Sequence, residues 1–366
     1  MSQERPRVEP LAASEERSTI EKIVKVWEDR RQSVTGVRCV LKGESLRTAG
    51  SLNGLQADFN LPEDQNLPAE NHTYDLSYTL SADFNRDWFR LETEEDRFGP
   101  EPEWRRVAEI FLFDGARSQK HTPPDLNEVP ERYIETELTI EDPPKRTFLF
   151  EKRSIWPVFF ACGVLPPVTG GHEAPVTFRD VARIEDMQVL GRAVVEDHAC
   201  VILAPPGDTE LPIEHELWIT DDMTYRVVRY FMIVEDDIAL SLSMEYDSAT
   251  HPDFPSRIVM AAFDRENLSL REELQTKEIQ TNPPLAKSHF YVVPTPGMVV
   301  YNRPKGKFLR IQDEGKAPLD AMQEHRRQRA REQSRGSAGV YWGFVALGVV
   351  CILMAGYFAL RRRAAS

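Results

Sequence analysis

Residues 74–84 read YDLSYTLSADF, a stretch in which apolar and polar side chains alternate without a break. The odd-numbered positions carry Asp, Ser or Thr, and the even-numbered positions carry Tyr74, Leu76, Tyr78, Leu80, Ala82 and Phe84. Successive side chains of a β-strand point to opposite faces, so this pattern places one face in a core and the other in water. The stretch predicts a half-buried antiparallel strand.

The same alternation recurs in residues 238–246, IALSLSMEY. Other strand candidates are VRCVL near residue 40, DWFRLE near 90, AEIFLF ending at the Asp114–Gly115 turn, RTFLF near 148, ACVILA near 202, ELWIT near 218 and YRVVRYFMIV after the Asp221–Asp222 turn. About ten strands separated by short turns are typical of a large antiparallel sheet and not of alternating βαβ units.

Two helical segments are predicted to cover the sheet. In STIEKIVKVWEDRR, residues 18–31, Ser18 and Glu21 fit a capping box. Its apolar stripe consists of Ile20, Ile23, Val24 and Trp27. The second segment, SIWPVFFACGVLPP at residues 154–167 and here named the plug, has crowded apolar residues bounded by proline, which predicts a short helix inside or over the mouth of the sheet. The predicted fold class is therefore α+β, with a large curved antiparallel sheet, a half-open barrel, that wraps the N-terminal helix and the plug.

The C-terminal region carries the most apolar segment. Residues 338–360 contain no charged side chain, and as a helix they would span roughly 34 Å, enough to cross a bilayer core of about 30 Å. Three arginines follow at residues 361–363. We expect a C-terminal transmembrane helix, in which Gly339 and Gly343 have the GxxxG spacing of a possible homodimer contact.

Charge is unevenly distributed along the chain. The net charge is −14, yet residues 321–366 contain eight arginines and two glutamates. The acidic remainder would repel nucleic acid, whereas the basic stretch before the span would lie against anionic lipid head groups. The arginines predicted to contact the membrane surface are Arg326, Arg327, Arg329, Arg331 and Arg335.

The predicted division of the chain follows from these patterns. Its parts are a disordered N-terminus at residues 1–17, the sheet domain at 18–312, a basic juxtamembrane stalk at 313–337, the transmembrane helix at 338–360 and a basic tail at 361–366. The first residues contain no apolar run that could form a signal peptide, and the arginine count slightly favours the sheet domain on the cytoplasmic side. A signal peptide missed upstream would place the domain on the periplasmic side.

Signatures of catalysis are missing from the sequence: there is no GxSxG, P-loop, GxGxxG or HExxH pattern. We expect no enzymatic activity, cofactor or metal, although a catalytic site assembled from scattered residues would escape this search. Cys39, Cys162 and Cys200 lack CxxC spacing, so free buried thiols are the simplest interpretation, and one disulfide with one leftover thiol stays open. His215 in PIEHELW is interpreted as part of a solvated strand.

Several large apolar residues are candidates to line a ligand cavity. They are Tyr78, Leu80, Phe111, Phe113, Phe148, Phe150, Trp156, Phe159, Phe160, Trp218, Leu240 and Leu242. The same residues would serve equally well to fill an ordinary core, and the sequence leaves both interpretations open.

The order of elements resembles a known family. After an N-terminal helix that ends in Trp-x-x-Arg and an antiparallel sheet come VLGRAVVEDHACVILAPP, ELWITDDMTYRVVRY and NPPLAKSHFYVVPTPGMVV. The positions that carry the resemblance are Gly191, Cys200, Leu203, Leu217, Trp218, Arg229, Asn282, Leu285, Phe290, Pro294 and Gly297. Across roughly residues 18–310 the chain is similar to the LolA-like fold of outer-membrane lipoprotein carriers and of the sensor domain of a periplasmic sigma-factor regulator.

This resemblance implies a curved half-open barrel that wraps helices and holds acyl chains. The function expected from it is a membrane-anchored, non-enzymatic binding module that holds a lipid or an acylated ligand in a concave sheet. The alternative is a protein-interaction or sensor domain in envelope-stress and sigma-factor regulation, with a lipoprotein or regulatory protein as partner.

Overall fold

The computed structural model describes residues 8–51, 68–98, 104–115, 118–122, 137–141, 152–166, 183–195, 197–205, 213–247, 251–264, 267–292, 299–302 and 307–310. The chain divides into two compact units, Met1–Phe308 and Leu309–Ser366. All the elements described below belong to the first unit, except for the last two residues of the final strand.

Within the described residues, fifteen strands form one sheet. They are β1 (Gly36–Arg47), β2 (His72–Asp83), β3 (Trp88–Phe98), β4 (Trp104–Asp114), β5 (Ser118–Thr122), β6 (Glu137–Glu141), β7 (Gln188–Val195), β8 (His198–Ala204), β9 (Ile213–Thr220), β10 (Val227–Val234), β11 (Asp237–Glu245), β12 (Arg257–Asp264), β13 (Asn267–Thr281), β14 (Val299–Asn302) and β15 (Lys307–Arg310). Their spatial order is β15-β14-β6-β5-β4-β3-β2-β1-β13-β12-β11-β10-β9-β8-β7. In this spatial order, every neighbouring pair between β6 and the terminal strand β7 is antiparallel. Strand β14 pairs with β6 in the parallel direction. The predicted antiparallel sheet is confirmed, with more strands than expected.

The sheet curls around the plug. Strands β3 and β10 are six places apart in the strand order, which in a flat sheet would separate them by roughly 29 Å. Yet the ring of Phe159 stacks on Phe89 of β3 at 6.3 Å, and the neighbouring Phe160 packs on Tyr230 of β10, also at 6.3 Å. One plug can reach both strands only if the sheet is curved, so the predicted curvature around a short helix is confirmed. We call the face that contacts the plug the inner face.

Helix α1 spans Ala13–Ser33 and therefore begins five residues before the predicted start. The predicted capping box is wrong: Ala12 is the N-cap, and the hydroxyl of Ser18 donates to the Glu15 carbonyl at 3.1 Å inside the first turns. The apolar stripe is confirmed, because Ile23 and Trp27 are fully buried. The Trp27 indole also donates to the Tyr225 carbonyl at 3.2 Å, which ties α1 to the turn between β9 and β10.

The plug contains a short helix, α2 (Trp156–Ala161), in which all six residues are buried. It follows a single 3-10 turn at Arg153–Ile155. It ends in a Schellman motif: the Val164 amide donates to the Phe159 carbonyl at 2.9 Å, and the Gly163 amide donates to the Phe160 carbonyl at 3.0 Å. Gly163 has φ +71°, the left-handed conformation that this motif requires. The predicted short helix is confirmed.

Strands β8 to β10 are apolar on both faces. On β9, Leu217 and Ile219 join the main core on the inner face, whereas Trp218 between them joins a separate cluster on the opposite face. We call this the second cluster; it consists of Ala193, Val195, Cys200, Ile202, Trp218, Val228, Phe231 and Ile233. Burial on both faces explains the nearly continuous apolar runs of these strands.

Cys39, Cys162 and Cys200 are free and buried. The expectation of free buried thiols is confirmed, and the alternative of one disulfide among them is wrong for this structure.

Several predictions concern residues outside the described ranges. These are the strand near residue 148 with Phe148 and Phe150, the stalk with its arginines, and the segment 338–360 with Gly339 and Gly343. Among the helices that are described, none combines the length and the apolar character needed to span a membrane. The predicted division of the chain into domain, stalk and anchor stays a prediction.

Candidate binding site on the inner face of the sheet

The inner face brings together most of the candidate ligand-lining residues. Nine of the twelve belong to the main buried core: Tyr78, Leu80, Phe111, Phe113, Trp156, Phe159, Phe160, Leu240 and Leu242. Trp218 does not, because strand alternation places its indole in the second cluster on the opposite face. Its predicted place among the lining residues is therefore wrong, and Phe148 and Phe150 lie outside the described residues.

The plug rings occupy the centre of this apolar surface. Trp156 meets Tyr230 edge to face at 5.3 Å, and Phe159 meets Phe84 edge to face at 6.4 Å. Phe159 and Phe160 are at most 2% exposed. The plug therefore covers the inner face as a filling piece, and the candidate residues in this region are packed as core against it.

Beyond the apolar part, the inner face carries a buried ionic network. Glu95 accepts hydrogen bonds from Lys152 at 2.5 and 2.7 Å and from Arg97 at 2.6 and 2.8 Å. Glu109 pairs with Arg97 at 2.5 Å and with Lys120 at 2.7 Å. Burial alone would raise the pKa of Glu95, but the charges of Lys152 and Arg97 outweigh it and lower that pKa to about 2. Glu95 is therefore a fixed negative charge at neutral pH.

A second buried carboxylate lies on β13. Glu272 is 3% exposed and accepts hydrogen bonds from the hydroxyl of Ser154 and, at 3.4 Å, from the phenol of Tyr78. Burial raises the pKa of Glu272, only partly offset by the Lys152 charge and the Ser154 hydrogen bond. Ser154 is the first residue of the plug and Lys152 lies just before it, so two carboxylates from different strands hold the start of the plug.

Sequence reasoning missed this network, although β3 carries a signal for part of it. Alternation through Phe89, Leu91 and Thr93 continues to Glu95 and places its carboxylate on the inner face, where these four residues are at most 2% exposed. A charged residue in an inward position of a strand requires a buried partner. Which residue supplies that partner is decided by contacts between distant parts of the chain.

His215 and Glu216 correct another prediction. His215 is 8% exposed, with Nδ1 2.7 Å from the hydroxyl of Tyr230, and Glu216 is 1% exposed and accepts a hydrogen bond from the Trp218 indole at 3.1 Å. The predicted solvated strand is wrong because β9 is covered on both faces. Burial, aided by the charge of Arg153, lowers the pKa of His215 to about 4, so the imidazole is neutral at pH 7.

The inner face therefore combines an apolar part with fixed, paired charges. In the ranges that the structure describes, no three His, Cys, Asp or Glu side chains are grouped as metal ligands. The buried carboxylates Glu95 and Glu109 are instead bound by lysine and arginine side chains.

Comparisons with known proteins yield similarity at the level of fold alone. No family model matches the sequence, and no curated protein matches it. Among solved structures, a LolA superfamily protein from Nitrosomonas europaea has 12% sequence identity and a TM-score of 0.37, with 75% of this chain and 97% of that chain covered. A putative outer membrane lipoprotein-sorting protein domain from Vibrio parahaemolyticus has 11% identity and a TM-score of 0.38, with coverages of 74% and 97%. Lipoprotein LppX from Mycobacterium tuberculosis has 9% identity and a TM-score of 0.26, with coverages of 74% and 99%. The chain thus has a weak LolA-like fold resemblance, as its sequence predicted.

Proposed function

We propose that this protein is a membrane-anchored, non-enzymatic binding module, and that its inner face holds an acyl chain or a similarly apolar ligand in place of the plug. The observation that carries this proposal is the plug itself. A helix of only six residues, all buried, fills the centre of a curved sheet. Such a piece is a removable cover for an apolar surface.

The contacts of the plug with the sheet are of two kinds. Its start is held by directed bonds, from Lys152 to Glu95 and from Ser154 to Glu272. Its aromatic rings make contacts that have little directional requirement, with Phe84, Phe89 and Tyr230. The start of the plug can therefore act as a hinge while the rings are replaced.

An acyl chain is suited to replace those rings. Burying a methylene group contributes about 0.8 kcal/mol, so a chain of about sixteen carbons contributes on the order of 10 kcal/mol before any cost is counted. This favourable free energy of burial offsets the cost of exposing the plug side chains to water. A polar ligand would not restore the lost apolar burial.

Membrane anchoring belongs to the same proposal. The uncharged residues 338–360 would hold the module beside the bilayer, from which an acyl ligand comes. We place the binding domain on the cytoplasmic side, following the arginine count on the two sides of this segment.

A binding titration tests the proposed ligand. Purified full-length protein would be titrated with a fluorescent long-chain fatty acid, and palmitate would compete for the site. Phe159→Ala weakens the plug and is expected to bind the fatty acid about threefold more tightly or better, because less apolar burial has to be given up. The control Phe231→Ala removes a buried ring from the second cluster on the other face and should leave the affinity unchanged. Absence of saturable binding, or weaker binding by Phe159→Ala, contradicts the proposal.

A further inference from the structure

Strand β7 ends the strand order of the sheet, and the segment before helix α1 meets its outer edge. The Glu9 amide donates to the Arg192 carbonyl at 2.8 Å, and the Arg192 amide donates to the Glu9 carbonyl at 2.8 Å. These two bonds form an isolated antiparallel bridge. The edge of β7 can therefore accept an added strand.

The edge has a notch at Gly191 that receives this segment. A Cβ atom at Gly191 would lie 2.4 Å from the Glu9 carbonyl oxygen and 2.6 Å from Cγ1 of Val8. Gly191 also has φ +153° and borders a register shift between Val189 and Gly191. Absence of a side chain lets the added backbone approach, and the Val8 side chain packs against the second cluster.

Among the described residues, Glu9 is the only one that pairs with this outer edge. In an antiparallel pair, outward-directed backbone groups alternate along the strand, so Val194 is the next residue after Arg192 whose amide points away from β8. Its side chain is 66% exposed, and that of Leu190 is 39% exposed. Open edges with exposed apolar side chains are favourable sites for strand addition.

We propose that the β7 edge is a docking site for an extended segment of a partner protein that places an aliphatic side chain at the position of Val8. Val8 and Glu9 of this chain occupy the site when the partner is absent. The aliphatic side chain reaches the second cluster beside Gly191, whereas the guanidinium of Arg192 is already paired with Asp221 at 2.8 Å, so the site selects for the aliphatic residue and for backbone pairing. The docking site is separate from the inner face and does not depend on a lipid ligand.

The first test releases Val8 and Glu9, here called the resident segment, from the β7 edge in the full-length protein. Glu9→Pro removes the amide that donates to the Arg192 carbonyl, whereas the control Glu9→Gln keeps it. The probe is a fluorescent synthetic peptide with the sequence of residues 5–12, RPRVEPLA. If the resident segment covers the edge nine-tenths of the time, Glu9→Pro binds the peptide about tenfold more tightly than the wild type, and Glu9→Gln binds like the wild type.

The second test locates the binding on the edge of β7. In the Glu9→Pro protein, Val194→Pro removes an outward amide without removing a bond to β8, and Val194→Thr keeps that amide. We expect a loss of affinity of about fivefold or more with proline and none with threonine. A peptide N-methylated at the position of Glu9 should also bind more weakly, and it tests the same bond in a protein whose β7 is unaltered.

Three results would overturn the proposal. One is equal peptide affinity of the Glu9→Pro and wild-type proteins. Another is unchanged affinity for the N-methylated peptide. The third is a wild-type dimer that Glu9→Pro dissociates, since the site would then belong to a second copy of this chain and not to a partner.

Discussion

At the scale of single residues, two buried carboxylates anchor the start of the plug, and their pKa values shift in opposite directions. The pKa of Glu95 is lowered to about 2 because Lys152 and Arg97 outweigh its burial. The pKa of Glu272 is raised because burial outweighs the nearby positive charge. Folding therefore favours the ionised form of Glu95 and disfavours that of Glu272, so their contributions to stability depend on pH with opposite signs.

Removing the charge of Glu95 should destabilise the protein. Glu95→Gln takes its carboxylate away from Lys152 and from Arg97, which keeps its pair with Glu109, and because both cations are partly exposed we expect a loss of about 2 kcal/mol in the free energy of unfolding at pH 7. The control Glu94→Gln alters a neighbouring side chain that is 62% exposed and should change it by less than about 0.5 kcal/mol. Urea denaturation measures the free energy of unfolding of both variants. Equal effects of the two substitutions would refute this role.

The contribution of Glu95 to stability also depends on pH. Because the folded pKa of Glu95 is depressed, this contribution is present above its ordinary pKa of 4.5 and is lost as the pH falls toward 2.

Glu272 should show the opposite pH dependence. Its folded pKa is raised, so its favourable contribution is complete below its ordinary pKa and is lost as the pH rises through the folded value. Glu272→Gln keeps an oxygen that accepts from Ser154 and cannot ionise. The stability of the variant relative to the wild type should therefore increase between pH 4 and pH 8, as measured by urea denaturation at each pH. A constant difference would show that Glu272 does not titrate as stated.

At the scale of elements, the plug depends on one backbone conformation at its end. Gly163 closes α2 in the left-handed region, and a Cβ there would lie 2.4 Å from the Trp27 carbonyl oxygen of α1. Gly50 has nearly the same φ, +74°, but an added Cβ would meet nothing within 4 Å. The two glycines therefore separate backbone strain from collision with a neighbouring helix.

Alanine substitution of both glycines tests this packing. We expect Gly50→Ala to cost about 1 kcal/mol of unfolding free energy, from strain alone. Gly163→Ala adds the collision with α1 and should cost about 2–4 kcal/mol. Thermal or urea unfolding compares them. Similar losses for both variants would mean that α1 does not confine the end of the plug.

Elements with a regular pattern were predictable from the sequence, and elements with mixed surroundings were not. Strand β2 alternates because one of its faces is wet, so its sequence pattern predicts the strand directly. Strand β13, NLSLREELQTKEIQT, was missed because Glu272 occupies an inward position that the alternation rule reserves for apolar residues. Likewise, the alternation rule interpreted β9 as solvated because it takes one face to be wet, whereas both faces of β9 are covered. A helix start at Ala13 was missed because a capping pattern at Ser18 competes with the good helix formers that precede it.

At the scale of the whole molecule, long-range contacts decide what the sequence could not predict. Lys152 and Glu95 are 57 residues apart, and Ser154 and Glu272 are 118 residues apart. The apolar part of the candidate site was predicted, apart from the side on which Trp218 lies, because strand alternation is local. Its ionic part arises only when a curved sheet brings β3, β13 and the plug together.

The C-terminal anchor is a prediction at this same scale. If residues 338–360 span the membrane, the full-length protein should remain in the membrane pellet after an alkaline wash, and a chain ending at residue 337 should appear in the supernatant. Immunoblotting of the two fractions measures this. A full-length protein that the wash extracts would contradict the anchor.

The most direct test of an exchangeable plug is amide hydrogen exchange in the presence and absence of palmitate. The amides of Cys162, Gly163 and Val164 are bonded to the carbonyls of Phe159 and Phe160 when the plug is in place. If an acyl chain replaces the plug rings, these three amides should exchange faster with ligand bound, while the β10 amides keep their protection. Unchanged or slower exchange at the three amides, under conditions where palmitate is bound, would contradict the account.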